Sequence, residues 1–176
     1  GSGDRPTRPS GHRPPAGGSG ARVASLVPRA RSPGFSSGGG SDGPAALRSA
    51  CPPGWRVIRE IGLRVPAGNV IADVTVLRPS APRDAMWVEP ADVLLVVEVG
   101  SPSSRRHDRF TKPSLYAEAG IDWYWRIERS KTGPIAHLYR LAEAGHDELH
   151  RSVAAGAVET VEPPLPVRVA PAGWSA

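Results

Sequence analysis

The chain has 176 residues and a formal net charge of +5, from 22 Lys and Arg against 17 Asp and Glu. All of this excess lies in residues 1–50, because residues 51–176 hold 15 basic and 15 acidic side chains. The net charge of residues 51–176 therefore does not favour binding to a polyanion. Cys51 is the only cysteine, which excludes an intramolecular disulfide, and no apolar run reaches the ~18 residues that a membrane-spanning helix requires. These features predict a cytoplasmic protein of bacterial type with no membrane partner.

The N-terminal region predicts a disordered tail. Residues 1–50 contain 11 Gly, seven Pro and nine Ser. Residues 1–44 show no hydrophobic periodicity, so they cannot bury enough apolar surface to offset the entropy of ordering the chain. We therefore expect a tail over residues 1–44, one domain over residues 45–169 and a C-terminal tail over residues 170–176. The arginines of the first tail leave open a separate role, in which they bind nucleic acid through salt-dependent contacts.

The first predicted elements are a short helix and three strands. Residues 45–51 could form the last turns of a helix that ends before Pro52. Residues 55–65 are strand-like, and residues 93–97 are five consecutive apolar residues, as expected of a central strand. The strand between them, over residues 70–77, alternates and should place four side chains on one face: Val70, Ala72, Val74 and Val76.

The second half predicts one helix and then a run of strands. The helix should end near Ala119, and Pro113 leaves open whether it starts at Ser104 or near Lys112, because proline is tolerated in a first turn. Short strands are predicted over residues 123–128, 135–141 and 148–153, followed by a proline-rich extended stretch over residues 158–169 that fits an edge or a tail.

Two acids lie on the predicted strands, and a lysine follows them. Asp73 interrupts the alternating strand and Glu98 ends the apolar one, each among residues of buried types. An ionised carboxylate in such surroundings is costly unless it is paired, and two adjacent carboxylates repel unless a cation lies between them. Oxygen ligands favour Mg²⁺ or Mn²⁺, and the backbone carbonyl of Val99 would be a further ligand. Lys112 would hold a water or neutralise charge on a phosphate.

Neighbouring residues on the predicted helix extend the candidate site. Asp108, Lys112 and Tyr116 share one helical face if the helix is continuous, so Asp108 and Tyr116 are candidate supporting residues. A structural role stays open for each acid taken alone, and Asp108 with Lys112 could equally be a solvated ion pair. A basic cluster could contact a substrate phosphate or form a solvated helix face: Arg105, Arg106 and Arg109.

Residues 91–125 resemble the Uma-type restriction endonuclease family of the PD-(D/E)xK nuclease superfamily. The shared features are Glu98-Val99, a Ser-Pro-Ser loop, Asp108, Lys112, and the Leu-Tyr and Ala-Gly pairs, in this order. The resemblance covers about residues 47–166 and implies an α/β fold, with a restriction-endonuclease-like mixed β-sheet flanked by helices. It also implies a centre that uses Mg²⁺ (or Mn²⁺), with Asp73 as first acid, Glu98 as second acid and Lys112 as the lysine, and DNA as the substrate.

The chain departs from the superfamily pattern at two positions and from the family pattern in its N-terminal region. Gly100 stands where the superfamily has its lysine, which this family carries on the following helix, and Ala72 replaces the proline before the first acid. Residues 1–44 also lack the helix, Glu-containing hairpin strand and second helix with which members usually begin. The resemblance thus implies an N-terminally truncated domain whose uncovered sheet could form a homodimer. The expected function is a metal-dependent endonuclease acting on DNA. The alternative is a truncated, catalytically inactive nuclease-fold protein that acts as an interaction module or has no function.

Overall fold

A computed structural model describes residue 1 and residues 42–100, 105–141 and 147–174, without the side chains of residues 105–110, 141 and 147. Most of the predicted N-terminal tail therefore lies outside the described residues. Two α-helices and nine strands follow one another: α1 (Gly43–Ala50), β1 (Arg56–Val65), β2 (Gly68–Leu77), β3 (Trp87–Val88), β4 (Val93–Val99), α2 (Arg105–Glu118), β5 (Trp123–Ser130), β6 (Gly133–Leu141), β7 (Asp147–Val153), β8 (Glu159–Val161) and β9 (Val167–Val169). Within the described part of the chain, neither helix is long and apolar enough to cross a bilayer.

Seven strands form one mixed sheet in the order β3-β1-β2-β4-β5-β6-β7. Strands β4 and β5 are parallel, which requires a crossover connection, and α2 provides it. The neighbouring pairs β1–β2, β2–β4, β5–β6 and β6–β7 are antiparallel. The predicted α/β fold with a mixed sheet and flanking helices is confirmed. The helix α2 begins at Arg105, so Pro113 lies inside it, not in its first turn.

The core consists of two clusters of buried side chains. One contains Leu47 of α1 together with Trp125 of β5, and the other contains Tyr116 of α2 together with Tyr124 of β5. Because Trp125 and Tyr124 are consecutive strand residues, their side chains lie on opposite faces of the sheet. Helix α1 therefore covers one face and α2 the other.

The C-terminal segment packs into the first cluster. Trp174 is buried and meets Trp125 edge to face, with ring centroids 6.4 Å apart. Gly43 at the start of α1 touches the same indole so closely that a Cβ there would overlap the ring. The packed part of the chain thus reaches five residues beyond the predicted domain end at residue 169. The stretch over residues 158–169, expected as an edge or tail, forms the β8–β9 pair, whose buried side chains join this cluster.

The hairpin β1–β2 changes its packing halfway along. The expectation that four alternating residues of β2 share one face is wrong, because Val74 and Val76 join the first cluster whereas Val70 and Ala72 join the second. The register of the hairpin places Glu60 opposite Asp73 at this change. Glu60 has φ of 53°, a left-handed conformation that turns an extended strand. The turn of the strand therefore occurs at the position of the first predicted acid.

Candidate active site

Asp73 lies where β2 separates from β4. The two strands pair as far as Val74 opposite Val97, and the ladder does not continue to the next residues. The backbone N–H of Val99, beyond the end of this ladder, donates to Asp73 Oδ2 at 2.7 Å. A carboxylate that accepts a backbone N–H makes a strong, charge-assisted bond. Asp73 is half-buried, so this bond holds the carboxylate beside the end of β4.

Glu98 lies on the α2 side of β4, and its carboxylate is enclosed by that helix. The residue is only 1% exposed. Tyr116 donates its hydroxyl to Oε1 at 2.6 Å, and Lys112 donates its ammonium to Oε2 at 2.7 Å. Lys112 and Tyr116 are four residues apart and therefore project from the same face of α2. The helix thus contributes one cation and one hydroxyl to a single buried carboxylate.

Lys112 also connects α2 to the other strand of the site. Its ammonium donates a second hydrogen bond, at 3.2 Å, to the backbone carbonyl of Ile71, two residues before Asp73. The residue is 8% exposed, so its ammonium depends on these oxygens for the stabilisation that water would otherwise give. The sequence predicted Lys112, but the carbonyl of Ile71 carries no signal in the sequence because every residue has one.

Burial controls the ionisation of this cluster. The pKa of Glu98 is raised to about 8, chiefly by desolvation and also by the nearby charge of Asp73, which together outweigh the lowering effects of Lys112 and Tyr116. Burial, and then the charge of Glu98, also raises the pKa of Tyr116 well above its ordinary value. Tyr116 therefore remains a hydrogen-bond donor at neutral pH. A second cation near Glu98 would favour its ionised form.

The donor atoms fit a hard divalent cation. If a metal ion binds here as the sequence predicts, Asp73 and Glu98 would supply carboxylate oxygens and Val99 a backbone carbonyl. No group of three or more His, Cys, Asp and Glu side chains suited to a metal ion occurs among the described residues. Two carboxylates are nevertheless what Mg²⁺ commonly takes from a protein, since it retains several water ligands.

The other predicted site residues lie where the structure gives no side chains. Asp108, Arg105, Arg106 and Arg109 all belong to α2, within residues 105–110. Their supporting and phosphate-binding roles therefore stay predictions. Tyr116, by contrast, contacts Glu98 as a supporting residue would.

Sequence analysis missed a polar group on the strands beside Glu98. The group consists of side chains from β5, β6 and β7 that form three contacts, Arg126–Glu128 along β5, Glu128–His137 and His137–Ser152. The sequence does contain a pattern that indicates this group: Tyr124, Arg126 and Glu128 alternate along β5, so the three polar or amphipathic side chains lie on one face.

The mixed sheet with its flanking helices is a nuclease-like α/β fold. The fold is similar to that of a solved structure described as "a putative nuclease belonging to DUF820" from Anabaena variabilis, with a TM-score of 0.51 and 17% sequence identity. The match covers 67% of this chain and 66% of that one, so the chain spans slightly less than two thirds of its length. No curated protein gives a match.

The family model Uma2, "Putative restriction endonuclease", matches residues 45–172. This chain therefore belongs to the Uma2 family, and the resemblance drawn from residues 91–125 is confirmed.

Proposed function

We propose that this protein is a metal-dependent endonuclease of the PD-(D/E)xK type that hydrolyses phosphodiester bonds of DNA. The observation that carries the proposal is the meeting of Asp73, Glu98 and Lys112, which are 25 and 14 residues apart in sequence, around the strand ends. Membership of the Uma2 family, described as "Putative restriction endonuclease", and the likeness in fold to a structure described as a "putative nuclease" support it.

The three residues would divide the work as follows. Asp73 and Glu98, with the carbonyl of Val99, would hold Mg²⁺ or Mn²⁺, which when bound supplies Lewis acidity and an acidified water. Lys112 lies within hydrogen-bond distance of Glu98 and can orient that carboxylate or neutralise charge that develops on phosphate oxygens. Tyr116 fixes the other oxygen of Glu98.

The proposal also covers the substrate, the cellular location and the extent of the catalytic domain. We take DNA as the substrate and the cytoplasm of a bacterium as the location. The catalytic domain would be the predicted residues 45–169 together with the packed residues at both ends, Gly43 and Trp174. The homodimer stays a prediction, as does the disordered tail, although Gly43 and Pro44 at the end of its predicted range belong to α1.

Nicking of supercoiled plasmid with Mg²⁺ or Mn²⁺ tests the proposal. We expect Asp73→Asn, Glu98→Gln and Lys112→Met each to lower the nicking rate by about 10²-fold or more, and chelation by EDTA to abolish it. Matched controls are Asp84→Asn and Lys131→Met, which remove the same charges from exposed positions and should nick as the wild type does. Equal nicking by the wild type and all three site variants would refute the proposal.

A second function, a catalytically inactive nuclease fold used for interaction, is favoured by one observation. Both oxygens of Glu98 already accept hydrogen bonds from the protein, and the residue is 1% exposed. A bound cation should stabilise the folded state by mass action. The test compares the change in melting temperature that roughly 5–10 mM Mn²⁺ causes in the wild type and in Asp73→Asn. If the two changes are equal, the inactive fold is preferred.

A further inference from the structure

Arg126 lies directly beside Glu98 in the sheet. The parallel pairing of β4 and β5 places the two residues in register, and adjacent strands are about 4.8 Å apart. Paired residues project to the same face, which here is the face that α2 covers, because Tyr124 two residues earlier contacts Tyr116 of the helix. The backbone of Arg126 therefore lies one strand away from that of the candidate metal ligand, and both side chains start on the same face of the sheet.

The guanidinium of Arg126 is held from two sides. Its plane lies over the ring of Tyr139, with the guanidinium carbon 5.1 Å from the ring centroid. Its Nε is 2.7 Å from Glu128 Oε1, in an ion pair whose alignment falls short of a hydrogen bond. These contacts leave the two terminal nitrogens of the guanidinium without a partner among the described residues, although the side chain is only 12% exposed. The side chain is thus held in place by Tyr139 and Glu128, and its terminal nitrogens make no hydrogen bond to the described residues.

Two further residues hold Glu128 and its surroundings. His137 on β6 lies opposite Arg126, and its Nδ1 is 2.9 Å from the hydroxyl of Ser152 on β7. The other ring nitrogen of His137 is 3.7 Å from Glu128 Oε2. The imidazole of His137 therefore has a polar neighbour at each nitrogen. We assign it the role of holding Glu128 in place, not of binding a ligand. The polar group is built around Arg126, its least satisfied member.

We propose that Arg126 binds a phosphate of the DNA backbone next to the bond that is cleaved, and that Glu128 and Tyr139 are its positioning residues. The inference rests on the proposed function for the identity of the polyanion. A guanidinium suits this role because its planar donors match phosphate oxygens in pairs. Residues 51–176 have no net charge, so attraction of DNA to a generally basic surface cannot supply the binding energy. A single ordered arginine near the candidate site can supply part of it.

Equilibrium binding of a fluorescent DNA duplex in EDTA, followed by anisotropy over a salt series, tests this contact without cleavage. Arg126→Met should weaken binding by about 10- to 100-fold, the effect of losing a charged hydrogen-bond partner, and lower the salt-dependence slope by about 0.9. Arg126→Lys keeps the charge and should fall between. Arg129→Met is the matched control, since Arg129 lies on the same strand, exposed and on the opposite face.

The positioning role has its own readout. Glu128→Gln should weaken binding when Arg126 is present and change nothing further in the Arg126→Met background, whereas a purely structural residue would weaken both. Melting temperatures of all variants identify loss of folding, and Arg126→Lys then serves as the deciding variant.

Two results would overturn the inference. In the first, Arg126→Lys and Arg126→Met bind the duplex as tightly as Arg129→Met does. In the second, the wild-type protein does not bind the duplex. Loss of nicking in Asp73→Asn is measured separately, so failure of the nuclease proposal is distinguishable from failure of this one.

Discussion

The buried ion pair between Glu98 and Lys112 gives the sharpest stability prediction. Its atoms are 2.7 Å apart and its side chains are 2% and 10% exposed. At that separation and an effective dielectric constant of ~20, the gross attraction is about 6 kcal/mol, before the cost of desolvation. Removing one member of such a pair leaves the other buried without a partner, which typically costs about 3–5 kcal/mol of unfolding free energy.

A double-mutant cycle isolates this coupling. At pH 9 we expect Lys112→Met to be strongly destabilising, Glu98→Gln to be less so because it also removes a desolvated charge, and the double variant to be more stable than the sum of the two predicts, with a coupling energy of about 2–4 kcal/mol. The coupling should be smaller at pH 6, because burial raises the pKa of Glu98 to about 8 and the carboxyl is then neutral. Urea unfolding at both pH values measures all four proteins.

The exposed pair Arg64–Glu89 is the matched control. Its atoms are 3.1 Å apart, but its side chains are 58% and 57% exposed. Solvent screening should reduce the coupling between Arg64→Met and Glu89→Gln to below about 1 kcal/mol. If the buried cycle gives a coupling no larger than this one, or one that does not change between pH 6 and pH 9, the reasoning is refuted.

Three other predictions concern the same core. Because the pKa of Glu98 is raised from 4.5 to about 8, the native state holds a proton that the unfolded chain releases. The free energy of unfolding should therefore fall as pH rises from 4.5 to 8, by roughly 5 kcal/mol at most. Urea unfolding of Glu98→Gln should show a weaker dependence of this free energy on pH, and the same dependence as in the wild type would contradict the assignment. Tyr116→Phe removes the 2.6 Å hydrogen bond to Glu98 and should cost about 1–3 kcal/mol in urea unfolding; an unchanged midpoint would show that water replaces the hydroxyl. Gly43→Ala places a methyl group against Trp174 and should cost about 1–3 kcal/mol, which thermal unfolding measures; a variant as stable as the wild type would mean that the indole moves freely.

Local patterns were sufficient to predict the main elements of the site. The apolar run before Glu98 gave β4, and the alternation around Asp73 gave β2. The spacing of Lys112 and Tyr116 placed both on one face of α2, where they meet Glu98. These predictions succeeded because each depends on residues close together in sequence.

The features that sequence analysis missed depend on pairing between distant segments. Arg126 is beside Glu98 only because β5 pairs with β4 in one register, which neither strand specifies alone. Trp174 is buried because α1, at the other end of the domain, begins with a glycine that admits its ring. The change of face at Asp73 follows from the left-handed backbone of Glu60, a conformation that glutamate rarely adopts.

The hydrogen bond from the Val99 amide to Asp73 makes that amide a reporter of the site in solution. Most amides of a central strand exchange their hydrogen with solvent only when the sheet opens as a whole. The Val99 amide is bonded to a side chain instead, so rotation of one carboxylate is enough to expose it. Its exchange rate should follow the ligand state of Asp73 while the neighbouring Val97 amide, inside the ladder, stays slow. A single backbone position thus separates occupancy of the cluster from unfolding of the domain.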